Sequence, residues 1–227
     1  MSSVTPFSPP LGPQPANPTF YSSSPTTLQM KENILSLTGD DFTITTAEGT
    51  PVCKCKGKYF SLHGTKEFTD VDGNDLFTVK KKLVSLYKTF ECESPQGYNF
   101  QVKGHFSLGK SKSSVHFKNA SDGQQVELDL EGDWFDRKAS ITLGGRPVAD
   151  VQRKFFNARE LVGDKQTVSA VVLLCFCGFR WKWRCRKKPY IVLTYFRLQY
   201  YVTVAPNVDL TMVAAICVCL DERENES

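Results

Sequence analysis

Val208-Asp209-Leu210-Thr211-Met212-Val213-Ala214-Ala215-Ile216-Cys217-Val218-Cys219-Leu220 is the stretch that decides how this chain folds. Only Asp209 and Thr211 interrupt a surface that is apolar on every side. A helix that is apolar all round must be buried all round. At about 1.5 Å per residue this one is roughly 20 Å long, too short to cross a bilayer. Protein must therefore enclose it. Nearly everything upstream reads as short antiparallel strands, and strands that precede and enclose a single apolar helix imply a closed sheet with the helix threaded through its middle. The expected fold class is mainly β, a closed antiparallel barrel around a central C-terminal helix.

Glycine-containing turns recur at Gly49, Gly73, Gly97, Gly123 and Gly145. Between them lie segments of alternating or β-rich pattern: 42–46, 52–56, 76–80, 86–91, 98–103, 115–118, 126–130, 139–143 and 148–154. Turn glycines at that rhythm are the mark of an antiparallel meander, and closing it around 208–220 removes its free edges.

A chain of 227 residues is long enough for one domain with a substantial core. Its first thirty residues carry no charge and hold seven of the twelve prolines, Pro6, Pro9, Pro10, Pro13, Pro15, Pro18 and Pro25, among many Ser and Thr. Such a composition buries too little surface to order itself, so residues 1–28 are expected to be a disordered arm. Pro6-x-x-Pro9 and Pro10-x-x-Pro13 have the spacing of polyproline II ligands, which proline-rich tails also produce by chance. No basic start precedes an apolar run and position 2 is not glycine. The expected location is cytoplasmic, peripheral to a membrane if membrane-bound at all. In that compartment the eight cysteines read as small core residues. Cys53 and Cys55 alternate with Lys54 and Lys56, so a period of two sends thiols inward and lysines outward. Cys217 and Cys219 on a helix do not share a face. His63, His105 and His116 have no zinc-ligand spacing, and the sequence alone pairs none of them with a nucleophile. No cofactor and no metal are expected.

Lys58-Tyr59-Phe60-Ser61-Leu62, Thr69-Asp70-Val71-Asp72-Gly73, Val148-Ala149-Asp150-Val151-Gln152-Arg153-Lys154 and above all Tyr201-Val202-Thr203-Val204-Ala205-Pro206-Asn207-Val208-Asp209-Leu210 resemble the LURP-one-related family of plants and fungi. That family belongs to the tubby C-terminal-like group, with tubby proteins and phospholipid scramblases. The resemblance spans about residues 29–222, which are expected to form the barrel domain, with 223–227 as a charged tail. It implies a twelve-stranded barrel around a central C-terminal helix, and it implies no enzyme activity.

One block departs from the family pattern. Residues 168–199 hold three cysteines, two tryptophans and seven basic residues, Arg180, Lys182, Arg184, Arg186, Lys187, Lys188 and Arg197, with no Asp or Glu. Removing these seven positive charges from a formal +4 leaves −3, so the basic character of the chain is local. Val168-Ser169 can be encoded by GTAAGT, Leu193-Thr194 by CTAAC and Gln199 by CAG, the marks of an intron start, branch point and end. The block is therefore expected to be a retained intron, lying as an excursion outside a complete barrel. As a genuine insert, the apolar run 171–179 followed by Arg180-Trp181-Lys182-Trp183-Arg184 would suit a membrane surface or a nucleic acid, and Cys175, Cys177 and Cys185 lack a fourth metal ligand.

Asp70-Val71-Asp72-Gly73-Asn74-Asp75 looks like the start of a calcium loop, but Lys81 stands where position 12 needs a glutamate. A tight turn explains it more simply. Lys80, Lys81 and Lys82, with Lys88, and the strand face Lys54, Lys56 and Lys58 are the best candidates for binding anionic lipid headgroups, as tubby proteins do on the barrel exterior. The competing reading is a solvated strand face. The expected role is a non-catalytic interaction or membrane-adaptor module. The alternative is a phospholipid scramblase-like activity, motivated by kinship alone. The expected partner is an anionic phospholipid or a protein, not a nucleic acid. No transmembrane span is expected, and the chain should be a monomer.

Overall fold

The computed structural model describes residues 5–32, 41–58, 64–105, 111–133, 138–156 and 197–225. The chain divides into two compact units, Met1–Lys154 with Leu198–Ser227, and Phe155–Arg197. The barrel with its helix is the first; of the second, only strand ends are among the described residues.

Twelve strands follow one another along the chain. They are β1 (Thr26–Glu32), β2 (Phe42–Thr46), β3 (Pro51–Gly57), β4 (Lys66–Thr69), β5 (Asp75–Lys81), β6 (Thr89–Glu93), β7 (Phe100–His105), β8 (Ser111–Lys118), β9 (Gln125–Asp133), β10 (Lys138–Leu143), β11 (Arg146–Phe156) and β12 (Arg197–Val204). They form one closed barrel in which each strand neighbours the next in sequence. β1 closes the ring by pairing antiparallel with both β2, where Leu28 faces Thr46, and β12, where Leu28 faces Val202. The expected fold class is the observed one.

Alternation sets the register. On β7, Phe100, Val102 and Gly104 are buried while Gln101, Lys103 and His105 turn outward. Cys53 and Cys55 are both buried, as their period required, and burial pushes the thiol pKa of Cys53 up. All five turn glycines have positive φ, with Gly49 and Gly73 at 90°, a region where a Cβ would be strained.

The helix α1 (Leu210–Asn225) runs inside the barrel. Met212 through Cys219 are each at most 1 % exposed. It starts two residues later than expected because Asp209 is its N-cap. One oxygen of that carboxylate accepts from Thr211 N–H (2.9 Å), Met212 N–H (3.2 Å) and the Thr211 hydroxyl (2.7 Å). It ends five residues later than Leu220, on charged residues that are no longer wholly enclosed.

The N-terminal arm corrects the sequence expectation. Residues 5–25 lie against the end of the barrel where the helix begins, with Phe7, Leu11, Phe20 and Tyr21 buried. Their backbone satisfies groups at the strand-to-helix junction: Phe7 N–H donates to Pro206 O, Leu11 N–H to Asn207 O, Asp209 N–H to Leu11 O and Leu210 N–H to Phe20 O. The Gln14 amide donates to the Thr211 hydroxyl at 2.6 Å, and the Tyr21 hydroxyl donates to Gln14 O at 2.6 Å. Gly12 is required here, since a Cβ would collide with the Tyr21 hydroxyl and the Asp209 side chain. The arm cannot fold alone, but the open end of a filled barrel supplies the apolar surface and polar partners that it lacks.

Other boundaries moved for identifiable reasons. The expected strand 86–91 begins only at Thr89: Leu86, Lys88 and Phe90 share a parity, so extending it would drive Lys88 inward. The strand expected from Tyr98 starts at Phe100, since the Asn99 side chain closes the preceding turn by accepting from Ser94 N–H at 2.8 Å. β1 and β4 had no place in the expected strand set. The expected excursion 168–199 lies outside the described residues except for its last three, and these belong to β12: Gln199 is buried and faces Lys31.

A charge introduced on the enclosed helix has no partner and costs several kcal/mol, against a total stability of about 5–15 kcal/mol. Ala215→Glu and Val213→Asp are therefore expected to abolish soluble folding, checked by expression and thermal melting; wild-type melting of either variant would contradict the enclosure. The Asp209 carboxyl has its pKa raised by burial, against which the bonds from Thr211, Met212 and Gln14 pull downward. An acid whose folded pKa is raised stabilises the fold at low pH and loses that contribution as pH climbs from the unfolded value through the folded one. Asp209→Asn keeps an oxygen to cap the helix, so its melting temperature is expected to fall less than wild type's between acid and neutral pH.

Candidate functional site

The seven lysines read from sequence stand on the outer face of the barrel or at its rim, where the strands arrange charge in alternating stripes. β3 presents Lys54 and Lys56, continued by Lys58; β4 presents Glu67; β5 presents Lys80, continued by Lys82; β6 presents Glu91 and Glu93. Cross-strand geometry brings opposite signs together. Lys58 meets Glu67 at 2.6 Å, Lys80 meets Glu93 at 2.5 Å and Lys82 meets Glu91 at 2.9 Å. Pairs this exposed contribute about 0–1 kcal/mol each, yet they divide the lysines among acidic neighbours instead of pooling them. Farther round the barrel, β8 and β9 pair Lys112 with Glu131 at 2.7 Å.

Lys54 and Lys56 line a shallow depression of about 380 Å³ shared with Glu67 and with Asp70 to Gly73. Its carboxylates make it mixed in sign. Asp70 is committed to its own turn: it accepts from Asp72 N–H at 2.9 Å, Asn74 N–H at 2.8 Å and the Asn74 amide at 2.8 Å. Slight desolvation pushes the Asp70 carboxyl pKa up, but bonds from Asn74, Asp72 and Gly73 outweigh it and hold it below the ordinary value. The turn is thus built as a turn, and no metal-holding group of His, Cys, Asp and Glu occurs among the described residues.

Lys88 has a structural post. Its ammonium donates to Arg223 O at 2.7 Å, satisfying a carbonyl of the last helical turn. Arg223 in turn donates to Lys112 O at 3.2 Å and to the Ser113 hydroxyl. The helix exit also holds a lysine that sequence reading passed over. Lys66 shares a face with Phe68 on β4, is 2 % exposed, and meets Glu222 at 2.5 Å with the Phe42 ring centroid 5.9 Å away. The Tyr200 hydroxyl donates to Asp221 beside it. The parity of Lys66 and Phe68 was the available signal.

Two histidines that sequence left unpaired converge on one serine. His105 Nε2 lies 2.7 Å and His116 Nε2 2.8 Å from Ser114 Oγ, and His116 stands 3.8 Å from Glu127. Strand pairing opposes Lys103 to Ser114 and His116 to Glu127, which sequence spacing does not display. Ser114 is 2 % exposed; a hydroxyl so covered offers no lone pair to a substrate. His63 lies outside the described residues.

A hollow of about 950 Å³ forms a groove between the arm and the β2–β3 turn, lined by small residues with Tyr21, Glu48 and Asn207. A Thr46 hydroxyl bond and a backbone bond hold the Glu48 carboxyl below its ordinary pKa, while burial and the Asp209 charge push the Tyr21 hydroxyl well above its own.

A LURP-one-related family model matches residues 26–173. Among curated proteins of Arabidopsis thaliana, Protein LURP-one-related 15 is 24% identical over 218 residues, covering 92% of this chain and 85% of that protein. Protein LURP1 is 22% identical over 212 residues, covering 90% and 87%. An Arabidopsis thaliana protein solved by X-ray crystallography shares the fold with a TM-score of 0.51 and 17% identity, covering 93% of this chain and 98% of its own.

Proposed function

The chain belongs to the LURP-one-related family, and from that premise we propose that it is a non-catalytic, tubby-like barrel module. In this reading it is an interaction or membrane adaptor that holds anionic phospholipid headgroups on its outer face. The observation that carries the reading is the filled lumen. With Met212 to Cys219 packed against the inner faces of the strands, a ligand has no room inside the barrel and must be met on its exterior. On that exterior, Lys80, Lys81 and Lys82 lie consecutively where β5 leaves the barrel. Their carboxylate neighbours compete weakly, because exposed pairs are nearly neutral in energy. A phosphate ester offers more acceptor oxygens to an ammonium than Glu91 or Glu93 does. The protein would visit a membrane surface from the cytoplasm as a monomer; no helix among the described residues is long and apolar enough to cross a bilayer.

Replacing Lys80, Lys81 and Lys82 together with Ala is expected to weaken flotation with phosphatidylserine-containing vesicles. Wild-type binding should fall as salt rises. Melting temperature should hardly change, since the Lys80–Glu93 and Lys82–Glu91 pairs are exposed. Vesicle binding equal to wild type in the triple variant would remove these lysines as the headgroup site.

A further inference from the structure

Five large apolar residues stand exposed among the described residues, and four of them lie within five positions: Leu83 at 62 %, Val84 at 90 %, Leu86 at 97 % and Tyr87 at 41 %. They form the tip of the β5–β6 hairpin. The expectation of a strand from Leu86 had concealed them. Residues 80–88 read Lys-Lys-Lys-Leu-Val-Ser-Leu-Tyr-Lys, with four lysines and no carboxylate, and Lys103 on β7, exposed and opposite Thr89, adds a fifth lysine at the base.

The base of the loop is braced by hydrogen bonds. Lys82 N–H donates to Thr89 O at 2.9 Å and closes the hairpin. Gly104 N–H donates to Lys88 O at 3.0 Å, an approach so close that a Cβ on Gly104 would meet that carbonyl at 3.0 Å. The Thr89 hydroxyl donates to Tyr87 O at 3.0 Å and lies 3.1 Å from the Ser85 hydroxyl, and the Lys88 ammonium ties the base to the helix end. Above that base Leu83, Val84 and Leu86 stand in water, at a cost that a solitary protein would have no reason to bear.

We propose that this hairpin inserts into anionic bilayers: Leu83, Val84 and Leu86 enter the boundary between headgroups and acyl chains, Tyr87 lies at the interface, and the lysines at the base meet lipid phosphates. The order of chemistry along the projection, apolar tip, aromatic shoulder, basic base, is the order of layers in a membrane surface. Lys80 and Lys82 meet Glu93 and Glu91 only in exposed pairs, which lipid phosphates can replace at little cost, and residues 83–88 beyond them carry no carboxylate, so the hairpin complements a negatively charged sheet. The inference rests on the headgroup reading and adds to it a hydrophobic anchor, which salt does not screen.

The test uses the full chain with vesicles of phosphatidylcholine mixed with phosphatidylserine. Leu83, Val84 and Leu86 replaced together with Ser should leave the melting temperature unchanged and weaken vesicle binding by about a hundredfold or more. A Val84→Trp variant should gain a blue-shifted emission component over the parent protein on adding vesicles, and spin labels in the acyl chains should quench it. If the serine variant binds like wild type, or if Val84→Trp binds with no shift and no quenching, insertion is overturned while the lysine-headgroup reading stands on its own variant. If the wild-type protein binds no anionic vesicle, both readings are overturned.

Discussion

Everything in this protein follows from enclosing an apolar helix in a closed sheet. Eight consecutive residues of α1, Met212 to Cys219, are at most 1 % exposed, and no single strand or layer can cover a helix on all sides. A ring of strands can, and a ring also removes the unpaired edges on which sheets aggregate. Enclosure creates two further demands, because the amides at one end of the helix and the carbonyls at the other need partners. At the entry, Asp209 and the proline-rich arm supply them. At the exit, Lys88 and Arg223 tie the last turn to the neighbouring strands, and Lys66 and Tyr200 hold its carboxylates. Segments that look peripheral in sequence are stoppers for the two ends of the barrel.

A filled interior moves the question of function to the outer surface, where the neighbouring stripes of Lys and Glu cancel one another on β3 to β6. Cancellation stops where the strands stop. Beyond Lys82 the chain leaves its acidic neighbours, and for the next six residues presents three apolar side chains, a tyrosine and another lysine. The β5–β6 hairpin is therefore where local charge and local apolarity both depart from the rest of the exterior.

How much of this was legible in sequence depended on whether a residue's partner was local. The helix, the turn glycines and most strands announce themselves through periods of two and clusters of turn residues. The fate of the arm does not, because Phe7, Leu11, Phe20 and Tyr21 find their surfaces almost two hundred residues away at Pro206 to Leu210. The lysines were legible as residues, but their acidic neighbours were not. Their counterions sit on adjacent strands, and register, unlike composition, has to be known before Lys80 can be matched with Glu93 or Lys82 with Glu91. Lys66 and the His105, Ser114 and His116 cluster were hidden for the same reason. The exposed hairpin tip was hidden by the opposite error: Leu86 and Tyr87 have strand propensity, and only the parity of Lys88 with Phe90 shows that the strand cannot start there.

Native-state hydrogen exchange across α1 probes the enclosure most directly. If the barrel surrounds the helix, the amides of Val213 to Leu220 can meet solvent only when the barrel opens, so they should be among the slowest in the chain and should exchange with the free energy of global unfolding. Exchange of those amides at the rate of a surface helix, while the strand amides of β7, β8 and β9 remain protected, would show that the helix leaves the barrel without unfolding it and would contradict the account.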